Sequence, residues 1–359
     1  MMPRLFAADQ PDASPSDDSR PQSPRRAARP VSPPEEHPSS PIPVMGDSAG
    51  LGTAIRRPLG ETDLSVFPLA LGTSVFGWTA QVDASAAILN RYYDFGGNFI
   101  EPADSYSAGL SEHIIGQWMA RRGNRDQIVL ATKVGNHPDN PGLGPVSMVR
   151  AVEASLERLQ TDHIDLLYFH LDDRSVPLED SLGTAQWLIE TGKVRHLGAS
   201  NFSAERLVEA RILSAAGYPR LEALETHYSL LHRQPFEGDL GLVSRGQGLG
   251  VMPYFALENG FLTGKYRSRS DLDGSTRGAR VARHLNRGGL RVLHALDGVA
   301  AEHNAPVASI ALAWLLAKPG VVAPVASASQ ADQIDALVAS PAIRLTRGQL
   351  VELERAARV

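Results

Sequence analysis

One repeated alternation constrains this chain more than any other feature. Eight short apolar runs are separated by longer amphipathic stretches: FPLALGT (67–73), NFIE (98–101), QIVLATK (127–133), IDLLYFH (164–170), VRHLGAS (194–200), LEALET (221–226), GVMPYF (250–255) and VVAPVAS (321–327). Between most of them lie segments such as ASAAILNRYYDF, SEHIIGQWMARR and SAERLVEARILSAAG, whose apolar residues recur at the spacing of one helix face. Gly or Pro usually punctuates the junctions. Strands joined each time through a helix run parallel, and eight of them close into a barrel. A doubly wound sheet gives a similar alternation, but no GxGxxG follows the first run, so the dinucleotide fingerprint of that fold is missing. The expected fold is α/β, a (β/α)8 TIM barrel. RRPLGETDLSV (56–66) reads as a β-hairpin ahead of the first strand, turning at Gly60. LTRGQLVELERAARV reads as an amphipathic C-terminal helix capped by Thr346.

At 359 residues the chain suits one large α/β domain plus a tail. Residues 1–52 are dense in Pro, Ser and charge, as in PDASPSDDSRPQSPRR. Such sequence buries too little apolar surface to offset its ordering entropy, so a disordered tail is expected there and the barrel over 53–359. Arg25 and Arg26 sit among serines as in a targeting peptide, but no apolar segment follows and acidic residues are frequent; a cytoplasmic protein is expected. The longest apolar-rich stretch, Val307 to Ala317, is too short to span a bilayer. A net charge of −5 offers no surface for a polyanion, so neither nucleic acid nor membrane is an expected partner. There is no cysteine, which excludes disulfides, thiolate catalysis and cysteine-held metal centres. His232, His284, His294 and His303 share no ligand spacing, so no metal is expected.

In a barrel, side chains at the C-terminal ends of the strands converge on one mouth. Glu101 ends the second run and Tyr106 follows it; Lys133 ends the third and His170 the fourth. Ser200 and Asn201 follow the fifth, Glu225 and His227 the sixth, and Tyr254 closes the seventh. A nearby ammonium stabilises a phenolate and so lowers a tyrosine pKa, a carboxylate holds that ammonium in place, and a histidine can orient a carbonyl. Together these groups form a proton donor and an oxyanion site for carbonyl reduction. His227 reads as a local structural residue, and Ser200–Asn201 can also cap the helix AERLVEA. Trp78 either lines the substrate pocket or touches a lid. The Gly-, Arg- and Ser-rich stretch from Phe255 to Leu290 reads as a long loop at the mouth, its arginines available for phosphate or solvent.

The run NFIEPADSYSAGLSEHIIGQWM resembles the second βα unit of the aldo-keto reductases, written DTADxYG and SExxIG in that family. LATKVG, IDLLYFH, LGASNFS, PYFALENGFLTGKY and PVASASQADQI resemble later blocks in the same order, so the likeness spans about residues 55–357. It implies an NADPH-dependent oxidoreductase, with NADH possible, that reduces a small carbonyl substrate without a metal and works as a monomer or small homo-oligomer. Tyr106 falls at the general-acid position, with Lys133, Glu101 and His170 as its catalytic partners. The implied cofactor contacts are Thr73, Ser200, Asn201, Glu225, Tyr254, Phe255, Leu257, Lys265, Arg267, Ser327, Ser329 and Gln333.

The chain departs from the family at three places. Glu101 replaces the catalytic aspartate and must fold back or shift to meet Lys133, and Pro102 replaces the threonine after it. Glu225 stands for the glutamine that binds the nicotinamide carboxamide. Leu337 stands for an adenine-binding asparagine. These departures motivate an alternative: a nucleotide-binding regulatory or partner-binding barrel with weak catalysis or none.

Overall fold

The computed structural model describes residues 55–358. The expected tail and its boundary at 52/53 lie outside the described residues. The hairpin comes first along the chain. Strands β1 (Arg57–Pro58) and β2 (Ser65–Val66) pair antiparallel, and the turn passes through Gly60 at φ 55°, a conformation that favours glycine.

The barrel strands follow: β3 (Ala70–Gly72), β4 (Phe99–Glu101), β5 (Val129–Val134), then a small hairpin of β6 (Asn136–His137) and β7 (Asn140–Pro141), then β8 (Ile164–Phe169), β9 (Val194–Ser200), β10 (Leu221–His227), β11 (Gly250–Tyr254) and β12 (Val325–Ala326). The eight barrel strands lie in the order β11–β10–β9–β8–β5–β4–β3–β12, each pair parallel. The two ends of this sheet meet where Val251 N–H donates to Gly320 C=O and Val322 N–H donates to Val251 C=O, both at 2.9 Å. The eight expected strands are present in their expected places.

The helices that alternate with the strands include α1 (Val82–Asp94), α2 (Leu110–Arg122), α3 (Pro145–Leu159), α4 (Leu178–Glu190) and α5 (Ala204–Ala215). Then come α6 (Gly241–Gly246), α7 (Gly278–Ala282), α8 (Arg287–His303), α9 (Val307–Leu316), α10 (Gln333–Val338) and α11 (Arg347–Ala356). Helix α11 starts on a capping box as expected: Thr346 Oγ1 accepts from Gln349 N–H and Gln349 Oε1 accepts from Thr346 N–H. The cap of α5 is Ser203, whose Oγ accepts from Arg206 N–H at 3.2 Å. Ser200 still belongs to β9, and Asn201 sits at φ 61°, so neither can cap that helix. Helix α9 is apolar on every side and is buried from Ala308 to Leu316, packed on α8. Enclosure is the way a folded domain accommodates such a helix. No single helix among the described residues is long and apolar enough to cross a membrane.

The apolar residues separate into two nested cores. Inside the barrel lie Phe99, Val129, Ala131, Leu166, Tyr168, Ala223, Met252 and Val325, closed from below by Leu59, Leu64 and Val66 of the hairpin. Period two along each strand sends these residues inward and sends Ile100, Leu130, Leu167 and Leu224 outward against the helices. Tyr168 fits because residue 198 is glycine: a Cβ there would lie 2.6 Å from its ring. Its ring lies below the polar residues of the mouth.

Candidate active site

Four elements bring the expected catalytic residues together. Lys133, near the end of β5, is 1% exposed. Its Nζ meets Glu101 Oε1 in direct contact, Tyr106 Oη at 3.3 Å, Pro102 C=O at 3.3 Å and Glu225 Oε2 at 3.4 Å. An ammonium has three N–H bonds, so four oxygens oversubscribe it. Glu101 therefore reaches Lys133 despite its extra methylene. The C=O of Glu101 is fixed in turn by the backbone N–H and the hydroxyl of Thr73, each at 3.2 Å. Thr73 Oγ1 also accepts from Ser111 Oγ at 2.9 Å.

Tyr106 opens a tight turn that leaves β4. Ser107 and Ala108 in that turn have φ of 49° and 53°, and Ser107 Oγ donates to Phe76 C=O at 2.7 Å. Left-handed non-glycine residues recur around this mouth, at Asn201, Phe255, Glu258 and Asn259. Strained backbone of this kind persists where the surroundings over-determine it, often at functional sites. The His170 ring stands edge-on to Tyr106, 6.2 Å between centroids. Burial and then the Lys133 charge push His170 down to about 3, so its imidazole is neutral at physiological pH. Its Nδ1 is buried and unpartnered.

The electrostatics differ from the expected lowering of the tyrosine pKa. Tyr106 is pushed well above its ordinary value, first by burial and then by electrostatic coupling to the acidic side chains Glu225, Tyr254 and Asp104. The physical reason is first the loss of water, which would stabilise a phenolate, and then the acidic groups gathered around the phenol. Burial likewise lowers Lys133 and raises Glu225.

A second group adjoins the first. Asn201 Nδ2 donates to His170 C=O and to Ser200 Oγ, both at 3.0 Å, while its Oδ1 accepts from Tyr254 Oη at 2.7 Å. Tyr254 packs against Phe255, ring centroids 5.2 Å apart, and Phe255 is 42% exposed. Leu257 is buried below them. The remaining expected contacts are spread out. Lys265 lies over the Tyr266 ring at 5.0 Å. Arg267 is held by Asp297 through two bonds of 2.8 and 2.6 Å. Ser327 is half-buried at the end of β12, and Gln333 Oε1 accepts from Ser329 N–H at 3.0 Å.

The stretch 255–290 is more ordered than its weak periodicity suggests, with short turns of helix at Glu258–Thr263 and Arg269–Leu272 ahead of α7. Arg277 lies over the Trp78 ring at 5.8 Å, so Trp78 touches this stretch. Most of the other arginines placed here by contacts serve the protein itself: Arg283 reaches Glu258, and Arg291 donates to the C=O groups of Ala356 and Arg358. Glu258, within PYFALENGFLTGKY but given no role by it, is fully buried. It accepts from Ser229 Oγ at 2.6 Å and His227 Nε2 at 2.7 Å, and lies 3.2 Å from His284 Nε2. His227 is thus a structural residue, stacked on His232. The partners of Glu258 are scattered from 227 to 284, so no local spacing announces them.

Comparison with known proteins agrees with this geometry. The model of the Aldo/keto reductase family matches residues 68–358. Norsolorinic acid reductase B of Aspergillus parasiticus is 32% identical over 333 residues, covering 87% of this chain and 86% of its own. An uncharacterized oxidoreductase of Bacillus subtilis, YrpG, is 35% identical over 292 residues, or 77% of this chain and 87% of its own. The NADP(+) aldo-keto reductase yakc of Schizosaccharomyces pombe is 29% identical over 286 residues, covering 76% and 82%. The chain belongs to the aldo/keto reductase family and is an oxidoreductase of that type.

Proposed function

We propose that the protein reduces an aldehyde or ketone to an alcohol with NADPH, Tyr106 acting as general acid. The observation that carries this reading is the convergence of Tyr106 Oη, Lys133 Nζ, Glu101 and the His170 ring from separate strands at one mouth. When bound, NADPH supplies the hydride for the carbonyl carbon. The chain's own groups handle the oxygen. Neutral His170 donates one hydrogen bond that orients it, and Tyr106 delivers a proton to the developing alkoxide. Raised above its ordinary value, Tyr106 holds that proton until the alkoxide forms. Glu101 keeps Lys133 in place beside the phenol.

The residues present fit a nicotinamide dinucleotide. Glu225 Oε2 and His170 Nδ1 are buried polar atoms without a hydrogen-bond partner, and a carboxamide has both donors and an acceptor to offer. Tyr254 and Phe255 present aromatic surface beside Asn201. Lys265, Ser327, Ser329 and Gln333 would hold the distal half; the NADP(+) in the name of the fission-yeast relative supports the 2′-phosphorylated form.

The test is NADPH oxidation followed optically with a reactive aldehyde such as 4-nitrobenzaldehyde. Tyr106→Phe should lower kcat/KM by roughly 10²–10⁴, the range for general acid–base catalysis, with an unchanged melting temperature. Wild-type turnover by that variant would remove Tyr106 from the mechanism. A second reading, a nucleotide-binding regulatory barrel, draws on the doubly compensated Lys133. Tight NADPH binding with no turnover over a wide carbonyl panel would establish it.

A further inference from the structure

Hydride transfer with Tyr106 as acid gives the buried Glu225 no part in the path of the proton. Glu101, Lys133 and Glu225 are each 3% exposed or less. Two carboxylates facing one ammonium there leave one negative charge uncompensated and out of water. Taking up a proton costs less than burying that charge. The two carboxylates are not equivalent. Glu101 makes the direct contact with Nζ, whereas Glu225 Oε2 stands 3.4 Å away and has no hydrogen-bond partner. The proton therefore belongs on Glu225.

We propose that Glu225 rests as the neutral acid and serves as the proton store of the reaction, restoring Tyr106 through Lys133. The geometry supplies the route: Lys133 Nζ lies between Tyr106 Oη at 3.3 Å and Glu225 Oε2 at 3.4 Å. In the reduction, hydride forms the new C–H bond, and the Tyr106 O–H bond breaks to protonate the alkoxide. A phenolate remains. One N–H bond of Lys133 then breaks as the Tyr106 O–H bond re-forms. The Glu225 O–H bond breaks as the N–H bond of Lys133 is restored. The net change is a neutral Glu225 converted to carboxylate, which takes up one proton from solvent before the next turnover, the proton that the reduction consumes. Glu225 touches neither substrate nor the reacting carbon; it acts through Lys133.

The groups facing Glu225 support the assignment. They are Lys133 from β5, Tyr168 from β8, Ser200 from β9, Tyr254 from β11 and Tyr106 from the turn after β4, with Glu101 of β4 across the ammonium. Lys133 is the cation among them, and Glu101 already holds it. Burial raises Glu225 more than Lys133 and Ser200 lower it.

The proposal rests on the oxidoreductase reading, so its test begins without cofactor or turnover. Infrared spectra of the full chain carrying Asp104→Asn, which removes the carboxyl raised to about 7, should show a protonated-carboxyl C=O band at neutral pH that is lost when Glu225→Gln is added. In steady-state assays the wild-type kcat should fall about tenfold per pH unit on a basic limb as Glu225 loses its proton. Glu225→Gln should lower kcat by about tenfold or more and erase that limb, with a smaller change in the Kd for NADPH, and Glu225→Asp should restore part of it. Circular dichroism checks that each variant is folded. Turnover by the wild type with no Glu225-dependent band in the Asp104→Asn chain overturns the proton store alone. So does a Glu225→Gln variant that keeps the wild-type limb. A band without turnover on any carbonyl overturns the oxidoreductase reading instead, and with it the purpose given to the proton.

Discussion

The two ends of this barrel use the same residue types in opposite proportion. At the bottom, one carboxylate has a surplus of donors. Asp165 at the start of β8 accepts from Leu130 N–H at 2.9 Å and from Arg195 at 2.7 Å, and pairs with Arg125 at 2.9 Å. Arg195 goes on to Asp63 of the hairpin, which also meets His196 at 2.7 Å. At the mouth, one ammonium faces two carboxylates and a phenol, and Glu225 Oε2 and His170 Nδ1 have no partner. The saturated end is a clamp that fixes the hairpin under the barrel. The unsaturated end keeps polar atoms and protons available to something that binds. Net charge and composition are blind to this difference; what distinguishes a structural ion pair from a reactive one is how completely its atoms are satisfied.

The comparison can be broken by removing a carboxylate from each end. Asp165→Ala leaves the buried Leu130 N–H without its acceptor and takes one partner each from Arg125 and Arg195, and should cost about 1–3 kcal/mol of unfolding free energy, measured by chemical denaturation, while activity per folded molecule persists. Glu101→Gln should do the reverse: a much smaller loss of stability, because Glu225 remains beside Lys133, and a marked fall in kcat. Equal losses of stability at the two ends would contradict the contrast. Next, Gly198→Ala places a methyl 2.6 Å from the Tyr168 ring below the mouth. Overpacking of this kind costs about 1–3 kcal/mol, and the displaced ring should also lower kcat.

Asp104 sharpens the picture through pH. It is buried two residues from Tyr106, its side-chain oxygens lack well-formed hydrogen bonds, and burial followed by repulsion from Glu112 raises it to about 7. Its folded-state pKa lies above the unfolded one, so the folded chain binds more protons between about pH 4 and 7. Its contribution to stability is therefore present at low pH and lost as pH rises through about 7. Thermal melts of Asp104→Asn should show a gain over wild type at pH values above about 7 that vanishes near pH 4, of roughly 1–3 kcal/mol. A gain that grows on acidification would contradict the assignment. The smallest effect concerns the far end of the chain: Thr346→Ala removes the cap of α11 and should cost about 1 kcal/mol with activity intact.

How much of this was legible in the sequence follows from which interactions are local. Periods of 2 and 3.6 are set by backbone geometry, so the eight strands and most of the helices between them were readable, as were the hairpin turn at Gly60 and the cap at Thr346. Strand ends converge in any barrel, so Tyr106, Lys133, Glu101 and His170 could be placed at one mouth before any coordinates. The cap of α5 was assigned three residues early because strand β9 runs through Ser200, a boundary that pairing with Glu225 of β10 decides. The role of Glu258 carried no signal, since its partners come from two segments distant from it in sequence.

The residue types at the mouth and the order in which strands deliver them were thus determined by the sequence alone, because covalent spacing and side-chain alternation suffice for both. Protonation was decided by the tertiary structure. Sequence predicted a tyrosine lowered by its lysine; folding instead took the phenol out of water and set two glutamate side chains against that lysine. Charge balance in a buried site depends on distances of 3 to 4 Å between residues as far apart as Lys133 and Glu225, and no local pattern encodes such a distance.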